Sequence, residues 1–245
     1  MPEHELYITQ LFNQFLAGPA NAVLTLVNHP AADPAKPWAN WMTMQIMVVL
    51  IMMAVFAILR PRIKVEEPGN MQHIFEVLYN FLRGQSDEIV GHHGARYLHV
   101  FGTIFLFVLF ANLLGIIPLF ESPTMFPQVP LGIALLAFLY YNLMGASAQG
   151  VLGHMKHFCG PVWYLSPLMI PIEIVSHLAR PLSLTIRLYA NMYAGEQVTI
   201  VFLGLVPLVI PAIFMGLHIF VAFLQAYIFV LLTMVYVSEA VAHEH

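Results

Sequence analysis

Residues 41–59 constrain the fold more than any other part of the chain, because this segment carries no charged side chain. In a helix of 1.5 Å rise per residue, about 20 apolar residues cross a hydrocarbon core of about 30 Å. Trp38 and Trp41 stand at the start of the segment, where indoles favour the membrane interface. Arg60 and Pro61 follow its end and favour helix termination there. The segment therefore predicts a transmembrane helix.

Composition extends this prediction to the whole chain. Only 9% of the 245 residues are charged and 60% are hydrophobic, whereas a soluble domain carries about 25% charged residues. So few charges cannot cover the surface of a water-soluble globule of this size. The chain is predicted to be an all-α integral membrane protein with about five transmembrane helices, at residues 41–59, 98–119, 131–148, 166–205 and 212–241.

Two further segments are amphipathic rather than uniformly apolar. Between residues 70 and 90, apolar side chains recur at helical spacing opposite polar ones, which predicts a helix that lies in the membrane interface. Residues 1–40 lack the basic start of a signal peptide. They are predicted to be an N-terminal amphipathic, interfacial segment, and residues 41–245 a single polytopic membrane domain.

Basic residues outside the predicted spans indicate how the chain is oriented. Six of them fall in loops that a five-span arrangement places on one side of the membrane: Arg60, Arg62, Lys64, Arg83, Arg96 and Lys156. Lys36 falls on the other side. The positive-inside rule therefore predicts an N-terminus outside and a C-terminus in the cytoplasm.

The stretch 166–205 is too long for a perpendicular crossing. Its 40 residues would make about 60 Å of helix, roughly twice the hydrocarbon thickness. We expect this element to tilt steeply, to break, or to run partly along the interface, and Pro167, Pro171 and Pro181 allow kinks. The last two helices are therefore predicted to form a long, steeply tilted hairpin.

Arg187 lies near the middle of that stretch. An arginine at the bilayer centre costs about 2.5–3.5 kcal/mol on insertion scales, and its pKa above about 12 keeps it charged. It is thus a poor proton carrier and a good fixed positive charge. The alternatives are a structural arginine paired within the protein or one that snorkels to the surface, and its distance from both ends of the element disfavours snorkelling.

The neighbours of Arg187 indicate a polar path. Ser183 and Asn191 lie four residues before and after it, on the same helix face. Glu173 is fourteen residues upstream and close to that face, whereas Glu196 is nine residues downstream and roughly opposite. Spacing alone leaves both glutamates equally consistent with ordinary interfacial carboxylates.

The last predicted helix adds two polar residues on one face. His218 and Gln225 are seven residues apart, which is nearly two helical turns. Hydrogen bonding between helices would explain them without any function. Next to a buried Arg187, however, Gln225 is predicted to bind or orient the guanidinium. Glu239 lies near the inner end of the helix and is read as interfacial.

Other chemistry is weakly indicated. His154, His157 and Cys159 have loosely metal-like spacing but lack a fourth ligand, and a single cysteine allows no internal disulfide. No phosphate-binding loop is present. We therefore expect no metal, no cofactor and no catalytic site on this chain, and the small net charge of −4 does not suggest nucleic acid.

Three segments resemble one known family. RPLSLTIRLYANMYAGEQV at 180–198 resembles the signature of subunit a of F-type ATP synthases, HIFVAFLQAYIFVLLTMVYVSEA at 218–240 resembles its last helix, and FANLLGIIP at 110–118 resembles its second span. The resemblance covers most of the chain from about residue 40. It implies that Arg187 is the family's essential arginine. It also implies proton-path roles for five other residues: Glu173, Asn191, Glu196, His218 and Gln225.

The resemblance further implies a mechanism and partners. A ring of small membrane subunits, the c-ring, carries one carboxyl group per subunit past the essential arginine, and two half-channels deliver and remove protons on opposite sides. Peripheral-stalk subunit b and, indirectly, the ATPase head complete the complex in the lipid bilayer. The implied location is a bacterial inner membrane, with an organelle inner membrane as the alternative.

Two other functions stay open on the residues alone. A secondary transporter could bind an anionic substrate at Arg187, although such transporters contain paired repeats and none is visible here. A structural membrane subunit could use the same polar residues only to hold helices together. That reading predicts that Arg187 tolerates substitution.

Overall fold

The described part of the chain is helical apart from its connections. The computed structural model describes residues 5–26, 33–64, 69–91, 94–117, 120–150, 166–205 and 209–241. Within these ranges lie seven α-helices: α1 (Tyr7–Leu26), α2 (Asn40–Leu59), α3 (Asn70–Val90), α4 (Gly94–Leu114), α5 (Gln128–Gln149), α6 (Ser166–Leu205) and α7 (Val209–Val241). Short 3-10 helices, Arg60–Arg62 and Pro123–Met125, follow α2 and α4. The all-α prediction is confirmed.

Among the described residues, four helical segments are long and apolar enough to cross a membrane, by length and composition: Asn40–Arg62, Gly94–Leu114, Gln128–Ala148 and Pro211–Val241. These four correspond to predicted spans. α6 coincides with the predicted residues 166–205 but is not among the four. It carries four charged side chains over its 40 residues, so a fifth crossing by α6 stays a prediction.

Element bounds follow the predicted ones closely where the pattern is strong. α3 begins and ends at the predicted residues 70 and 90. α4, by contrast, begins at Gly94 and ends at Leu114 rather than covering 98–119. Hydropathy did not detect its first turn, because that turn contains Arg96, and the residues 115–117 that follow Leu114 form a turn.

The continuity of α6 removes one of the three arrangements expected for it. Pro171 and Pro181 lie inside the helix without breaking it, although each removes one backbone donor. Thr185 Oγ1 donates a hydrogen bond to the Pro181 carbonyl oxygen at 2.7 Å. A broken helix is therefore wrong, and a steep tilt or a partly interfacial course stays a prediction.

α7 lies at the centre of the bundle and packs against α3, α4, α5 and α6. The largest side chains that are fully buried on α4 and α7 are Phe101, Phe105, Phe229 and Met234. Between helices in lipid, close packing of such faces rather than hydrophobic transfer holds the bundle together. This arrangement places the polar residues of α6 and α7 next to each other.

The N-terminal helix is tied to the beginning of α2. Thr9 Oγ1 and Thr43 Oγ1 lie 2.7 Å apart in a buried contact, and the Trp38 backbone N–H donates to Asn13 Oδ1 at 2.9 Å. At the other end of the bundle, Tyr227 Oη of α7 donates to Gln85 Oε1 of α3 at 3.0 Å. The two predicted amphipathic segments are therefore helices packed on the bundle, and their interfacial location stays a prediction.

Candidate functional site

A cavity of about 450 Å³ lies between the C-terminal half of α6 and the facing first part of α7. Its wall is mostly apolar, with polar groups from Asn191, His218 and Gln225 and with Gly195 beside the histidine. Three residues that the sequence placed on a polar path therefore share one cavity.

An amide–amide hydrogen bond joins the two helices at this cavity. Asn191 Nδ2 donates to Gln225 Oε1 at 3.0 Å, and only 3% of the Gln225 surface is exposed. A buried amide needs such a partner. We predicted Arg187 as the partner of Gln225, but the hydrogen bond that the structure gives to Gln225 comes from Asn191, one helical turn beyond Arg187.

His218 faces α6 at Gly195, where a larger side chain would displace its ring. A Cβ atom added at Gly195 would lie 2.8 Å from His218 Nε2 and 3.0 Å from Cε1, which is too close for carbon contacts. The Nε2 atom is itself buried and has no hydrogen-bond partner among the described residues. Because an unpaired buried polar atom is costly, this nitrogen and the cavity beside it suit a water molecule or a proton donor.

Arg187 lies in the middle of α6 and is half-buried. Within the described ranges, no carboxylate lies within 4.0 Å of its guanidinium and no hydrogen bond to it is found. A guanidinium has five donors and cannot be deprotonated. Arg187 is therefore a permanent charge whose binding capacity is unused by the described part of this chain.

A second carboxylate lies near Glu196, which follows the cavity-lining Gly195 in the predicted outer half of α6. Glu196 is half-buried, and Glu121, in the connection between α4 and α5, is close enough for the two carboxylates to repel each other. Asn40 Nδ2 donates to Glu121 Oε2 at 3.4 Å. Acidic side chains from two parts of the chain thus lie near each other in the predicted outer half of the molecule.

The predicted inner end of α6 has a different character. Glu173 Oε1 lies 3.3 Å from His177 Nε2, and His177 Nδ1 lies 3.0 Å from the hydroxyl oxygen of Tyr141 on α5. A neutral imidazole with its proton on Nε2 satisfies both contacts. Sequence analysis singled out Glu173 but missed the histidine and the tyrosine.

A second missed group lies one turn further along. Arg180 Nη2 forms an ion pair with Glu239 Oε2 at 2.8 Å, and the Arg180 guanidinium lies over the Tyr236 ring, 4.8 Å from its centroid. A signal was available in the sequence, because Arg180 precedes Arg187 by seven residues and so shares its side of the helix. Glu239, read as interfacial, is the partner.

Ser183 lies apart from the cavity. Its side chain is exposed and belongs to a row of small, exposed residues on one face of α6: Ala179, Ser183, Ala190 and Ala194. Arg187 borders this row, since it is four residues from Ser183 and three from Ala190. The row leaves room for another helix to approach the guanidinium closely.

No group of three or more His, Cys, Asp or Glu side chains that could hold a metal ion is found in the described ranges. The weak candidates His154, His157 and Cys159 lie outside those ranges.

The fold and the site together define a multi-pass, all-α integral membrane protein with a permanent charge and several polar side chains inside its helix bundle. Such charges usually mark ion or substrate pathways. The chain belongs to the ATP synthase A chain family, whose model matches residues 41–238. It is therefore a component of a proton-translocating ATP synthase complex, as the sequence resemblance implied.

Relatives over the full length support this assignment. The chain is 60% identical over 235 residues to "ATP synthase subunit a" of Solibacter usitatus (strain Ellin6076), covering 96% of this chain and 100% of the relative. It is 48% identical over 242 residues to the protein of that name from Koribacter versatilis (strain Ellin345), covering 99% of both. The relative from Bdellovibrio bacteriovorus is 44% identical over 176 residues, covering 72% of this chain and 77% of the relative.

Proposed function

We propose that this chain is the stator proton-channel subunit of an F-type ATP synthase, and that Arg187 is the fixed charge that separates two proton paths. The observation that carries this proposal is the position of Arg187. Its guanidinium is half-buried in the middle of α6 and makes no ion pair within the described ranges. Polar residues lie on the helix both before and after it.

The outer path includes the cavity between α6 and α7. Glu196 and Glu121 provide an acidic entry, and Asn191, His218 and Gln225 provide polar groups along the cavity wall. A cavity of this volume has room for several water molecules, and these three side chains provide the polar partners that bound water needs. Protons can therefore move by way of water and side chains toward the level of Arg187.

The inner path begins at Glu173, whose side chain is partly exposed at 26%. It lies fourteen residues from Arg187, or about 21 Å along a helix of 1.5 Å rise. A proton that crossed directly between the two paths would pass the guanidinium. That charge repels it, so the proton must leave on a partner.

The partner we propose is the c-ring, whose subunits each carry a carboxyl group. A carboxylate in lipid is very costly, so the ring carries protonated groups there. Opposite Arg187 the charged form is stabilised, because a nearby positive charge lowers the pKa of a carboxylic acid. The proton then leaves by one path, and another proton arrives by the other. Each exchange advances the ring and couples proton flow to ATP synthesis.

The row of small residues on α6 supports this partner. Ala179, Ser183, Ala190 and Ala194 are exposed beside Arg187. Small side chains let helix backbones approach closely in membranes, so a ring helix can bring its carboxyl group to the guanidinium. This gives Ser183 a role in docking and keeps it near the path.

We also propose the remaining context. The chain lies in a bacterial inner membrane with its N-terminus outside and its C-terminus in the cytoplasm, as the basic loops predict. Peripheral-stalk subunit b holds it in place, and the catalytic head acts on it indirectly through the ring.

ATP-driven proton pumping in inverted membrane vesicles tests the proposal. We expect Arg187→Ala to abolish pumping while the head still hydrolyses ATP, and Arg187→Lys to fail as well, because a compact ammonium does not reproduce the planar fork. Arg62→Ala, at an exposed arginine after α2, is the matched control and should pump normally. Normal pumping by Arg187→Ala would overturn the proposal.

A further inference from the structure

Four side chains from three helices form a cluster at the predicted inner end of α6, which we call the inner clasp: Tyr141, Arg180, Tyr236 and Glu239. Arg180 Nη2 and Glu239 Oε2 lie 2.8 Å apart. The Arg180 guanidinium carbon lies 4.8 Å from the centroid of the Tyr236 ring and 5.9 Å from that of Tyr141. The two rings also contact each other, with centroids 5.8 Å apart.

The chemistry of the clasp favours arginine at position 180. The guanidinium side chain is 19% exposed, whereas the Glu239 side chain is 51% exposed. An exposed ion pair alone contributes little to stability. A guanidinium withdrawn from water between two aromatic faces is held more firmly, because cation–π attraction grows on desolvation and its plane can stack. We therefore expect the clasp to fix the position of the Arg180 side chain more than it raises the free energy of unfolding.

The clasp lies at the weakest point of α6. Pro181 follows Arg180 directly and lies inside the helix, where it can donate no hydrogen bond to the carbonyl of His177. Prolines inside helices are the commonest sites of kinks. Yet α6 is continuous here. A side-chain tie to α7 at the neighbouring residue restrains the helix where its own backbone does not.

A second tie lies about one turn before Pro181. His177 Nδ1 and the Tyr141 hydroxyl oxygen lie 3.0 Å apart, and both residues are buried, at 8% and 1% exposure. Tyr141 thus contacts α6 at His177 and at Arg180, and it also contacts Tyr236 of α7. It connects α5 to both long helices at one level.

The clasp is in register with the essential charge. Arg180 and Arg187 are seven residues apart, which places them on one side of the helix and about 10 Å apart along its axis. A bend or a slide of α6 at Pro181 would therefore move Arg187 relative to α7.

We propose that Arg180 is a positioning residue for Arg187: the inner clasp restrains α6 at Pro181 and holds it in fixed register with α7, and so sets the depth at which the Arg187 guanidinium meets the ring carboxylate. This inference rests on the proposed role of Arg187. It assigns to Arg180 no contact with the proton. If the depth changes, the two proton paths are no longer separated at the level where the carboxylate arrives.

The assembled complex in inverted vesicles provides the test, with two readouts. We expect Arg180→Ala to lower ATP-driven pumping by between about tenfold and about a hundredfold, the range expected when a key group is misplaced by about 1 Å. We also expect it to raise passive proton permeability after the head is removed, at an unchanged amount of assembled complex. Arg180→Lys should fall between Arg180→Ala and wild type, since it keeps the charge and loses the stacking plane.

Exchange of the two charges separates positioning from general stability. Arg180→Glu and Glu239→Arg should each pump poorly, and the double variant should pump faster than either one, because the ion pair is restored in reverse. Arg83→Ala is the matched control, since it breaks an exposed ion pair of 3.7 Å with Asp87 within α3 alone. It should leave both readouts unchanged.

Two outcomes would overturn the inference. In one, the Arg180 variants pump and leak like wild type. In the other, pumping falls only in proportion to lost assembly and the charge exchange gives no recovery. The variant Arg187→Ala in the same preparation separates this failure from a failure of the proposed function: if it pumps, the proposed function is wrong, and if it does not while the Arg180 variants do, the inference alone is wrong.

Discussion

Two histidines show how the two ends of α6 differ. His177, on the predicted inner side, has a partner at each ring nitrogen, Glu173 at 3.3 Å and Tyr141 at 3.0 Å. His218, beside the outer cavity, has a buried Nε2 without a partner among the described residues. Both nitrogens of the His177 ring are paired, whereas Nε2 of His218 can still bind another group. A group that passes protons needs such a position, whereas a group that maintains geometry is better saturated.

The surroundings of the two rings differ in the same sense. The outer ring borders a cavity of about 450 Å³, and the residue opposite it is Gly195. The inner ring is 8% exposed and lies between Tyr141 of α5 and Glu173 of its own helix. In the molecule described here, the outer half of the site is therefore open and underpaired, and the inner half is closed and paired.

We expect the largest loss of pumping from a substitution that fills the open position in the outer half of the site. Gly195→Ala would place a Cβ 2.8 Å from His218 Nε2, so the ring must move or the helices must separate, at a cost on the order of 1–3 kcal/mol. We expect ATP-driven pumping to fall by about tenfold, because the displaced ring no longer presents Nε2 at the cavity and a misplacement of about 1 Å can cost up to about a hundredfold in rate. Proton pumping in vesicles measures this.

Gly204→Ala is the control for that change. Gly204 is also in α6, and a Cβ added there meets nothing within 4 Å, so pumping should persist. If Gly195→Ala pumped as fast as Gly204→Ala, the open position beside His218 would have no part in the outer path.

Substituting either partner of the Asn191–Gln225 hydrogen bond tests which of the two amides is shielded from water. Asn191→Leu leaves Gln225 buried at 3% exposure with its acceptor unpaired, which costs about 1–3 kcal/mol. Gln225→Leu leaves the amide of Asn191 without its partner, but Asn191 is exposed and lines the cavity, so water there can bind its amide. We therefore expect a smaller loss of unfolding free energy. Thermal unfolding of the chain in lipid vesicles, followed by circular dichroism, would rank the two variants. Equal losses would mean that the pair has no buried side.

A single hydroxyl group tests the paired inner half. Tyr141→Phe removes the contact with His177 Nδ1 and keeps the ring contacts, so we expect a loss of about 1 kcal/mol in unfolding free energy. Pumping should fall less than for Gly195→Ala. Tyr79→Phe, at a tyrosine that is 52% exposed, should change neither. A larger effect on pumping than that of Gly195→Ala would reverse the comparison and place the sensitive half inside.

Sequence patterns predicted the elements and one face of the site. Hydropathy and helical spacing predicted α3 and α6 with their bounds, because apolar runs and a 3.6-residue period are local properties of the chain. The same period placed His218 and Gln225 on one face, and both line the cavity. Length alone predicted that α6 could not be a simple perpendicular crossing.

Pairing across helices was beyond sequence reasoning. The contacts of Tyr141 with His177 and of Arg180 with Glu239 depend on how each helix is rotated and how deep it lies against its neighbour. Neither is encoded in spacing within one helix. The same uncertainty affected Gln225, because Asn191 and Arg187 lie one turn apart on the same face and only the packing decides which of them reaches it.

The smallest expected effect concerns an ion pair outside the bundle interior, and it tests whether pairing by itself distinguishes the inner half. Lys36 Nζ and Glu5 Oε2 lie 2.8 Å apart near the predicted outer surface. Hydrogen bonds from Lys36 and then from Asn13 hold the pKa of Glu5 below its ordinary value of 4.5. The hydrogen bond with Glu5 raises the pKa of Lys36 above 10.5.

The sign of the pH dependence follows from these two shifts. The lowered pKa of Glu5 contributes stability that is present above the ordinary carboxyl value and is lost as the pH falls through the folded pKa. The raised pKa of Lys36 contributes stability that is present below 10.5 and is lost at higher pH. The rate of proteolysis between α1 and α2 should therefore be constant from about pH 5 to about pH 9. It should rise slightly below about pH 4, where carboxylates protonate. Lys36→Ala should remove most of that rise. If instead Lys36→Ala changed pumping at neutral pH, the Lys36–Glu5 ion pair would act on the site. Paired polar side chains would then not distinguish the inner half of the site from the outer half.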